Sequence, residues 1–542
     1  MSTNDRTETD NPYPGLRPFT TADAHLYFGR ERQIDAMLDL LASAGLLAVL
    51  GGSGSGKSSL VNCGLQAALH MGRMGQAGTD WRVAQMRPGS DPIGNLARAL
   101  AQALATDGSA GAASPAQGLL TAEMLEADLR ASSLGLVDVY RQALAGGPTN
   151  LLVVVDQLEE LFRYRNLTND WQDDAAAFIR LLLEARQRPG CAIHLVLTLR
   201  SDFLGACDQF HGLAEAIAAG IFLLPRLSRS ERRSAISGPA AVAGVTLSPV
   251  LLNRLVNDTD DATEQLPLLQ HALNRMWAHR RHAAAVGGVL ELVDYEAVGT
   301  STMALDKHAE QLFAHVPPGQ AQQWCARVFK SLIDRVLDPR GVRRPTRFDA
   351  LCQIVGAHDA AAADAVAAAI APFRAPECGF LLPPLQQPLQ PDTVLDLSHE
   401  SLLRGWRRLE RWVDEEAQSA RFYQRLADTA DLHAAAQAAL LRDPDLQQAL
   451  DWRAHQQPTP AWGARWQPGF ERAMQFLDHS KAERDMEAAQ REMEAAQREM
   501  QQQRASRSRL RGTPAVLLLA ALAVGGLLGY LLGDLLRLWG RG

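Results

Sequence analysis

The stretch LLAVLGGSGSGKSSLV, residues 46–61, constrains this chain more than any other. A short apolar run breaks into glycines at Gly51 and resumes as a helix just after Lys57. Within it Gly51, Gly56, Lys57 and Ser58 satisfy G-x-x-x-x-G-K-[ST], the phosphate-binding loop pattern. Glycines let the backbone curl with its N–H groups inward, and the helix that follows offers its positive end to the same anion. Gly52, Ser53, Gly54, Ser55 and Ser59 complete the expected cradle. Lys57 is placed to reach the β- and γ-phosphates, and the Ser58 hydroxyl to hold Mg²⁺. A flexible Gly/Ser linker would need neither the strand before nor the helix after.

A chain of 542 residues is too long for one core, so length alone anticipates three or four folded units. The net charge of -7 gives no general pull toward nucleic acid, and direct nucleic-acid binding is not expected. Six cysteines lie far apart with no C-x-x-C spacing, which points to a reducing compartment and no cysteine metal site. The opening MSTNDRTETDNP is polar and acidic where a signal peptide needs an apolar core, and residues 1–10 read as disordered.

Upstream of the phosphate loop, NPYPGLRPF combines three prolines and a glycine with two aromatics, an extended arm with fixed bends. Phe28-Gly29-Arg30-Glu31 then leads into a helix. Arm and helix are placed either to wrap a nucleotide base or simply to pack on the sheet. Downstream, residues 81–86 read as a second strand, residues 92–105 as a helix and residues 106–116 as a loose surface loop.

LLVVVDQLEELF, residues 151–162, is apolar on both faces and belongs mid-sheet. It ends at Asp156, where a second carboxylate would meet Mg²⁺. Glu159 or Glu160 is a candidate general base for the attacking water, with Glu160 preferred, and Gln157 sits where some relatives of such enzymes carry an acid. A further strand, residues 192–199, delivers Arg200 to the crevice where open α/β sheets bind ligands. Arg200 is thus a γ-phosphate sensor or a surface ion-pair member. Residues 221–224 close the sheet.

From residue 227 to about residue 282 the pattern is helical with no strand evident, and it contains Gln265-Leu266-Pro267-Leu268-Leu269. Residues 317–412 mix helices with a short Arg-rich strand-like piece at 342–348. They end in DLSHESLLRGW, which carries His399.

Taken in order, NPYPGLRPF, FGRE, GGSGSGKSS, VVVDQLEELF, LRSDF, LPLLQHAL and LSHESLLRGW resemble the bacterial STAND NTPases, over roughly residues 11–480. The resemblance implies a parallel-sheet α/β P-loop NTPase followed by a helical lid and a winged helix. In domain terms it implies an arm over residues 1–36, a P-loop domain over 37–226, a lid over 227–315, a winged helix over 316–415 and a helical domain over 416–480. It further implies an ATPase that works as a switch: ADP holds a closed form, and ATP with a trigger protein or ligand opens it to a homo-oligomer. Carried over by position, Gly29 and Arg30 lie near the base, Arg200 is the sensor and Pro267 is the lid proline. His399 corresponds to the histidine that reads the β-phosphate of ADP. Two departures stand out: Gln265 replaces the glycine of the lid motif, and Ser-His-Glu replaces Met-His-Asp. The guanine signatures N-K-x-D and T-K-x-D are missing, which favours ATP over GTP. No repeat of WD period follows, so sensing falls to residues 417–479 or to a partner.

DMEAAQREMEAAQREM, residues 485–500, repeats every seven residues, with Met486, Met493 and Met500 at one heptad position. Residues 481–511 therefore read as a stalk, either a narrow coiled coil or a connecting helix. Arg504, Arg507, Arg509 and Arg511 then precede the uncharged run PAVLLLAALAVGGLLGYLLG. Its length of about 20 residues matches a ~30 Å hydrocarbon layer, so residues 512–538 read as one transmembrane helix. The arginines favour a cytoplasmic N-terminal side, and Trp539 suits the far interface. A bacterial inner-membrane protein with its bulk in the cytoplasm follows. Gly525, Gly529 and Gly533 fall on one helix face, which suits helix association in lipid; a passive anchor is the alternative. The expected function is a membrane-tethered ATP switch in defence or stress. The alternatives are a scaffold ATPase that recruits partners, or an ATP-driven motor or transporter subunit.

Overall fold

The computed structural model describes residues 11–105, 121–144, 147, 149–163, 171–259, 265–283, 288–336, 341–375 and 378–539. The expected disorder of residues 1–10 and the expected loop at 106–116 lie outside them. The chain divides into two compact units, Met1–Glu416 and Ala417–Gly542, where length alone anticipates three or four. The first unit keeps several separate hydrophobic cores but stitches them together through polar contacts around one cavity.

In the first unit, helix α1 (Glu31–Ala44) buries Ile34, Met37, Leu38 and Leu41, a stripe at helical spacing, and stops at Gly45 in the left-handed conformation. Strand β1 (Leu46–Gly51) follows with every residue buried. Helix α2 runs on from Lys57 as three pieces, Lys57–Ser59, a π-helical Leu60–Leu65 and Gln66–His70. Strands β2 (Trp81–Met86), β3 (Asn150–Val155), β4 (Ile193–Arg200) and β5 (Ile221–Leu223) complete a parallel sheet of order β2-β3-β4-β1-β5. The central strands β1, β3 and β4 are apolar on both faces because helices cover both. Gly51 is in register with Arg200, so the phosphate loop and the arginine leave the sheet at the same edge. Asp156 leaves β3 at that edge too.

Helices dominate the next part: α3 (Arg229–Val242), α4 (Gln265–Ala283), α5 (Leu292–Val298) and α6 (Thr300–His315). The expectation of no strand here needs correction, because Thr246–Leu247 pairs with Val289–Leu290, a two-residue ladder too short to show as period-two alternation. The Arg-rich piece at 342–348 also splits. Val342–Arg343 pairs with Ile333–Asp334, whereas β6 (Thr346–Arg347) joins β7 (Leu381–Leu382) and β8 (Val394–Leu397) in an antiparallel sheet of order β6-β8-β7. A separate core containing Phe329, Phe373, Phe380 and Trp406 backs this sheet.

The second unit contains the aromatic cluster of Phe422, Tyr423, Trp452 and Trp462 and the 70-residue helix α7 (Phe470–Trp539). Met486, Met493 and Met500 are more than half exposed, and ion pairs Glu487–Arg491 and Glu494–Arg498 line the helix surface at i,i+4 spacing. Its segment Val516–Gly533 has a mean hydropathy of 2.3 and no burial within the chain, long and apolar enough to cross a membrane. The side chains of Arg509, Arg511 and Trp539 lie outside the described residues.

Candidate functional site

The phosphate loop takes its shape from glycine. Gly54 and Gly56 sit at φ +67° and +90°, a region that costs any side chain with a Cβ. The turn so made points Lys57 back across the loop, where its Nζ donates to the carbonyls of Gly51 and Gly52 at 2.8 Å each. Lys57 is 9% exposed, and burial pulls its pKa below the usual lysine range against the opposing carboxylates of Glu159 and Asp156. Ser58 Oγ donates to Asp156 at 2.9 Å, and Thr198 Oγ1 of β4 donates to the same carboxylate at 2.6 Å. A hydroxyl and a carboxylate held together at the sheet edge are hard oxygen donors, the chemistry Mg²⁺ takes.

The two glutamates after Asp156 separate. Glu159, 4% exposed, lines the cavity above the loop and accepts from the backbone N–H of Arg200 at 3.2 Å. Glu160 instead turns to Gly89, accepting from its N–H at 2.9 Å, and does not line the cavity. Burial raises the Glu160 pKa, against the pull of Arg87 and Arg343. Of the two candidates it is Glu159, not the expected Glu160, that faces the cavity, because the turn after β3 points successive side chains in different directions. Gln157, held at φ +61°, accepts from Arg343.

The cavity has a volume of about 170 Å³. Its floor is the loop from Ser53 to Ser59, and one wall is the N-terminal arm through Leu16, Pro18 and Phe19 with Tyr27 and Phe28. The Phe19 N–H donates to Ser59 Oγ at 3.2 Å, so the arm is fastened to the loop. Arg30 also lines the cavity and donates to the Pro225 carbonyl at 2.8 Å. Gly29 does not line it. A Cβ there would stand 2.4 Å from the Glu231 carbonyl, so this glycine serves the close approach of the arm to α3. Leu266, Pro267 and Gln270 of α4 line the far side.

The fourth wall comes from the far end of the first unit, and here sequence reasoning missed most of the residues. His399 lines the cavity, and its Nδ1 accepts from the Ser401 N–H at 3.0 Å, so the neutral ring carries its proton on Nε2. Burial, reinforced by Arg343, lowers the His399 pKa to about 4. Glu400 accepts from Ser53 Oγ of the phosphate loop at 2.9 Å and from Arg200 Nη1 at 3.1 Å. Arg200 is also paired with Asp202 at 2.8 Å; these carboxylates and Glu159 raise its pKa although burial alone would lower it. Arg343 is bound to Asp396 at 2.9 Å, and Arg87 lies between Asp156 at 3.7 Å and Asp396 at 3.6 Å. A continuous chain of charges thus joins the metal-type carboxylate to the β8 strand. Isolated arginines and a lone glutamate carry no motif, so only proximity in the fold reveals them.

A comparison with curated proteins gives no match. Among solved structures the chain is similar to the Aeropyrum pernix ORC2 protein, at 11% identity over 72% of this chain and 94% of that one, with a TM-score of 0.40. Pyrobaculum aerophilum Cdc6p gives 13% identity, the same two coverages and a TM-score of 0.30. Domain III of the Thermotoga maritima replication initiation protein DnaA gives 16% identity over 50% of this chain and 91% of that one, with a TM-score of 0.31. A family model described as Novel STAND NTPase 1 matches residues 12–439, more than three quarters of the chain. The chain belongs to the Novel STAND NTPase 1 family and is a nucleotide-hydrolysing P-loop enzyme.

Proposed function

We propose that the chain is an adenine-nucleotide switch tethered to a bacterial inner membrane, closed with ADP and released to a homo-oligomer by ATP and a trigger. The observation that carries this reading is Glu400, which bonds both the phosphate loop through Ser53 and the sensor position Arg200. A γ-phosphate entering beside Lys57 competes with that carboxylate for the same donors, because two anions cannot share them without repulsion. ADP leaves the contact in place. Nucleotide state is thereby converted into attachment or release of residues 316–415, read as the winged helix, from the P-loop domain of residues 37–226; residues 227–315 form the lid between them. Differential binding of this kind is what a ligand needs to shift a conformational equilibrium.

Within the cavity, Lys57 and the loop N–H groups bind phosphate oxygens, and His399 offers its Nε2 proton to one of them. Ser58 and Asp156 would hold Mg²⁺, which supplies charge neutralisation on the phosphates. Glu159, beside Arg200 and facing the cavity, orients the attacking water. The aromatic wall of Phe19, Tyr27 and Phe28 takes the adenine ring. Output passes to the stalk and the apolar helix, whose small-residue face supports clustering in lipid, with a defence or stress response as the cellular setting.

The test is the oligomeric state of the full chain in detergent, measured by mass photometry with ADP and with a non-hydrolysable ATP analogue. The proposal expects a monomer with ADP and a larger assembly with the analogue once Glu400 is replaced by Gln. One mass distribution under all four conditions would remove the switch.

A further inference from the structure

A second hollow of about 160 Å³ lies between α4 and α6, apart from the nucleotide cavity. On α4 it is bordered by Arg275, Ala278 and His279, at i, i+3 and i+4; on α6 by Ala304, Lys307, His308 and Gln311, at i, i+3, i+4 and i+7. These are the positions at which two packed helices ordinarily meet through apolar side chains. Here alanines on both helices leave space, and basic groups surround it.

Among the described residues the lining contains two cations and two imidazoles but no carboxylate. No hydrogen bond or ion pair joins the side chain of Arg275, His279, Lys307 or His308 to any of the described residues. His308 is only 5% exposed, yet its Nδ1 has no partner. Its ring is stacked on the fully buried His271 at 5.2 Å and 24°, and Phe380 packs edge-on against it at 5.2 Å while also touching His271, so the three rings hold the imidazole in place. A buried polar group without a partner costs free energy, and so does a half-buried guanidinium without a counter-charge. An anion in the hollow offsets both.

We propose that this hollow is a second, regulatory anion site that takes a small phosphoryl group, with Arg275 and Lys307 as its charged ligands and His308 as a hydrogen-bond donor. A guanidinium and an ammonium on facing helices, with no carboxylate among the described lining residues, fit a multiply charged oxyanion; the described lining offers no acceptor-rich wall for a cation or a sugar. The volume exceeds that needed by a single water roughly tenfold, enough for a phosphoryl group and part of what it is attached to. The same helix α4 carries Leu266, Pro267 and Gln270 into the nucleotide cavity, so an anion that steadies α4 at Arg275 acts on the lid that closes over the nucleotide. The site itself stands whether or not the nucleotide switch does.

The experiment titrates the full chain in detergent, saturated with a fluorescent ADP so that the phosphate loop is filled, using inorganic pyrophosphate, inorganic phosphate and ribose 5-phosphate in calorimetry. Pyrophosphate is expected to bind at one site per chain without releasing ADP. Arg275→Gln and Lys307→Gln are each expected to weaken it by about tenfold or more, the loss of one charged hydrogen bond. Tighter binding of ribose 5-phosphate than of phosphate assigns the site to organic phosphates; the reverse assigns it to inorganic ones. Lys307 is exposed, so Lys307→Gln decides the matter even if the Arg275 variant fails to fold. Absence of binding by all three probes, release of ADP in step with pyrophosphate uptake, or unchanged affinity in the variants would each overturn the proposal.

Discussion

Glu400 and Ser53 are 347 residues apart in sequence and share a hydrogen bond of 2.9 Å across the nucleotide cavity. The same carboxylate is salt-bridged to Arg200 at 3.1 Å, so one side chain closes the ring formed by the phosphate loop, the end of β4 and the segment after β8. Charge-assisted bonds of this kind are worth about 1.5–3 kcal/mol each when their partners are otherwise desolvated. Replacing Glu400 by Gln keeps the shape and removes the charge. ADP release, followed by stopped-flow fluorescence, should then accelerate by about tenfold or more, and an unchanged rate would show that the contact does not hold the closed form.

Lys57 is bound to its own loop carbonyls and is the only ammonium among the described residues that line the cavity. Lys57→Ala should leave the sheet intact, because the strand and helix flanking the loop are held by apolar burial. Nucleotide affinity should fall by at least about a hundredfold, given two lost charged contacts to phosphate. Asp156→Asn should behave differently. It keeps partners for Ser58 and Thr198 but loses the charge, so hydrolysis falls while ADP binding persists, and equal losses of both would reassign the carboxylate.

Gly29 separates a structural from a ligand-binding role. At φ +86° and with Glu231 O 2.4 Å from a would-be Cβ, it has no room for a side chain. Gly29→Ala should destabilise the first unit by more than about 1 kcal/mol, seen as a lowered Tm without added nucleotide. A Tm that matches the wild type without nucleotide, combined with weaker ATP binding, would return Gly29 to the base-binding wall.

His271 is fully buried, and burial followed by the charge of Arg275 lowers its pKa from 6.5 to about 3. His308, stacked on it, is lowered as well, by burial and by His271 and Arg275. A histidine kept neutral in the fold binds its proton more readily when unfolded, so stability is complete above the unfolded pKa and falls as pH falls below it. One such histidine should cost about 2 kcal/mol between pH 7 and pH 5. His271→Phe, which keeps the ring packing, should shrink the fall in Tm over that interval; an equally steep fall would place the acid sensitivity elsewhere.

Apart from its own helix backbone, a would-be Cβ on Gly529 meets no atom of the described residues within 4 Å. Gly529→Ile should therefore insert normally and leave nucleotide binding untouched while abolishing any output that needs close helix approach. Full output from that variant, measured as membrane depolarisation after triggering, would make the helix an anchor only.

Much of this arrangement was legible in the residues themselves. The strand–glycine–helix run at 46–61 could fold only as a phosphate loop, and the all-apolar stretch before Asp156 could only be a central parallel strand, because both follow from local chemistry. The opposing wall was not legible. In the sequence Glu400 stands out only as a departure from a motif, and Arg343, Arg87 and Asp396 have no local signature; their role arises from where β8 is brought relative to β3. The order of Glu159 and Glu160 likewise depends on the turn after β3, including the left-handed Gln157, which periodicity does not encode.

The central claim is that an adenine nucleotide occupies the cavity between the phosphate loop and the Ser398–Glu400 wall. The most direct measurement is the nucleotide content of the purified full chain, by extraction and chromatography, with the affinity for added ADP and ATP by calorimetry. The account predicts close to one ADP per chain in the wild type and none in Lys57→Ala. A wild-type chain that carries no nucleotide and takes up neither ADP nor ATP would contradict it.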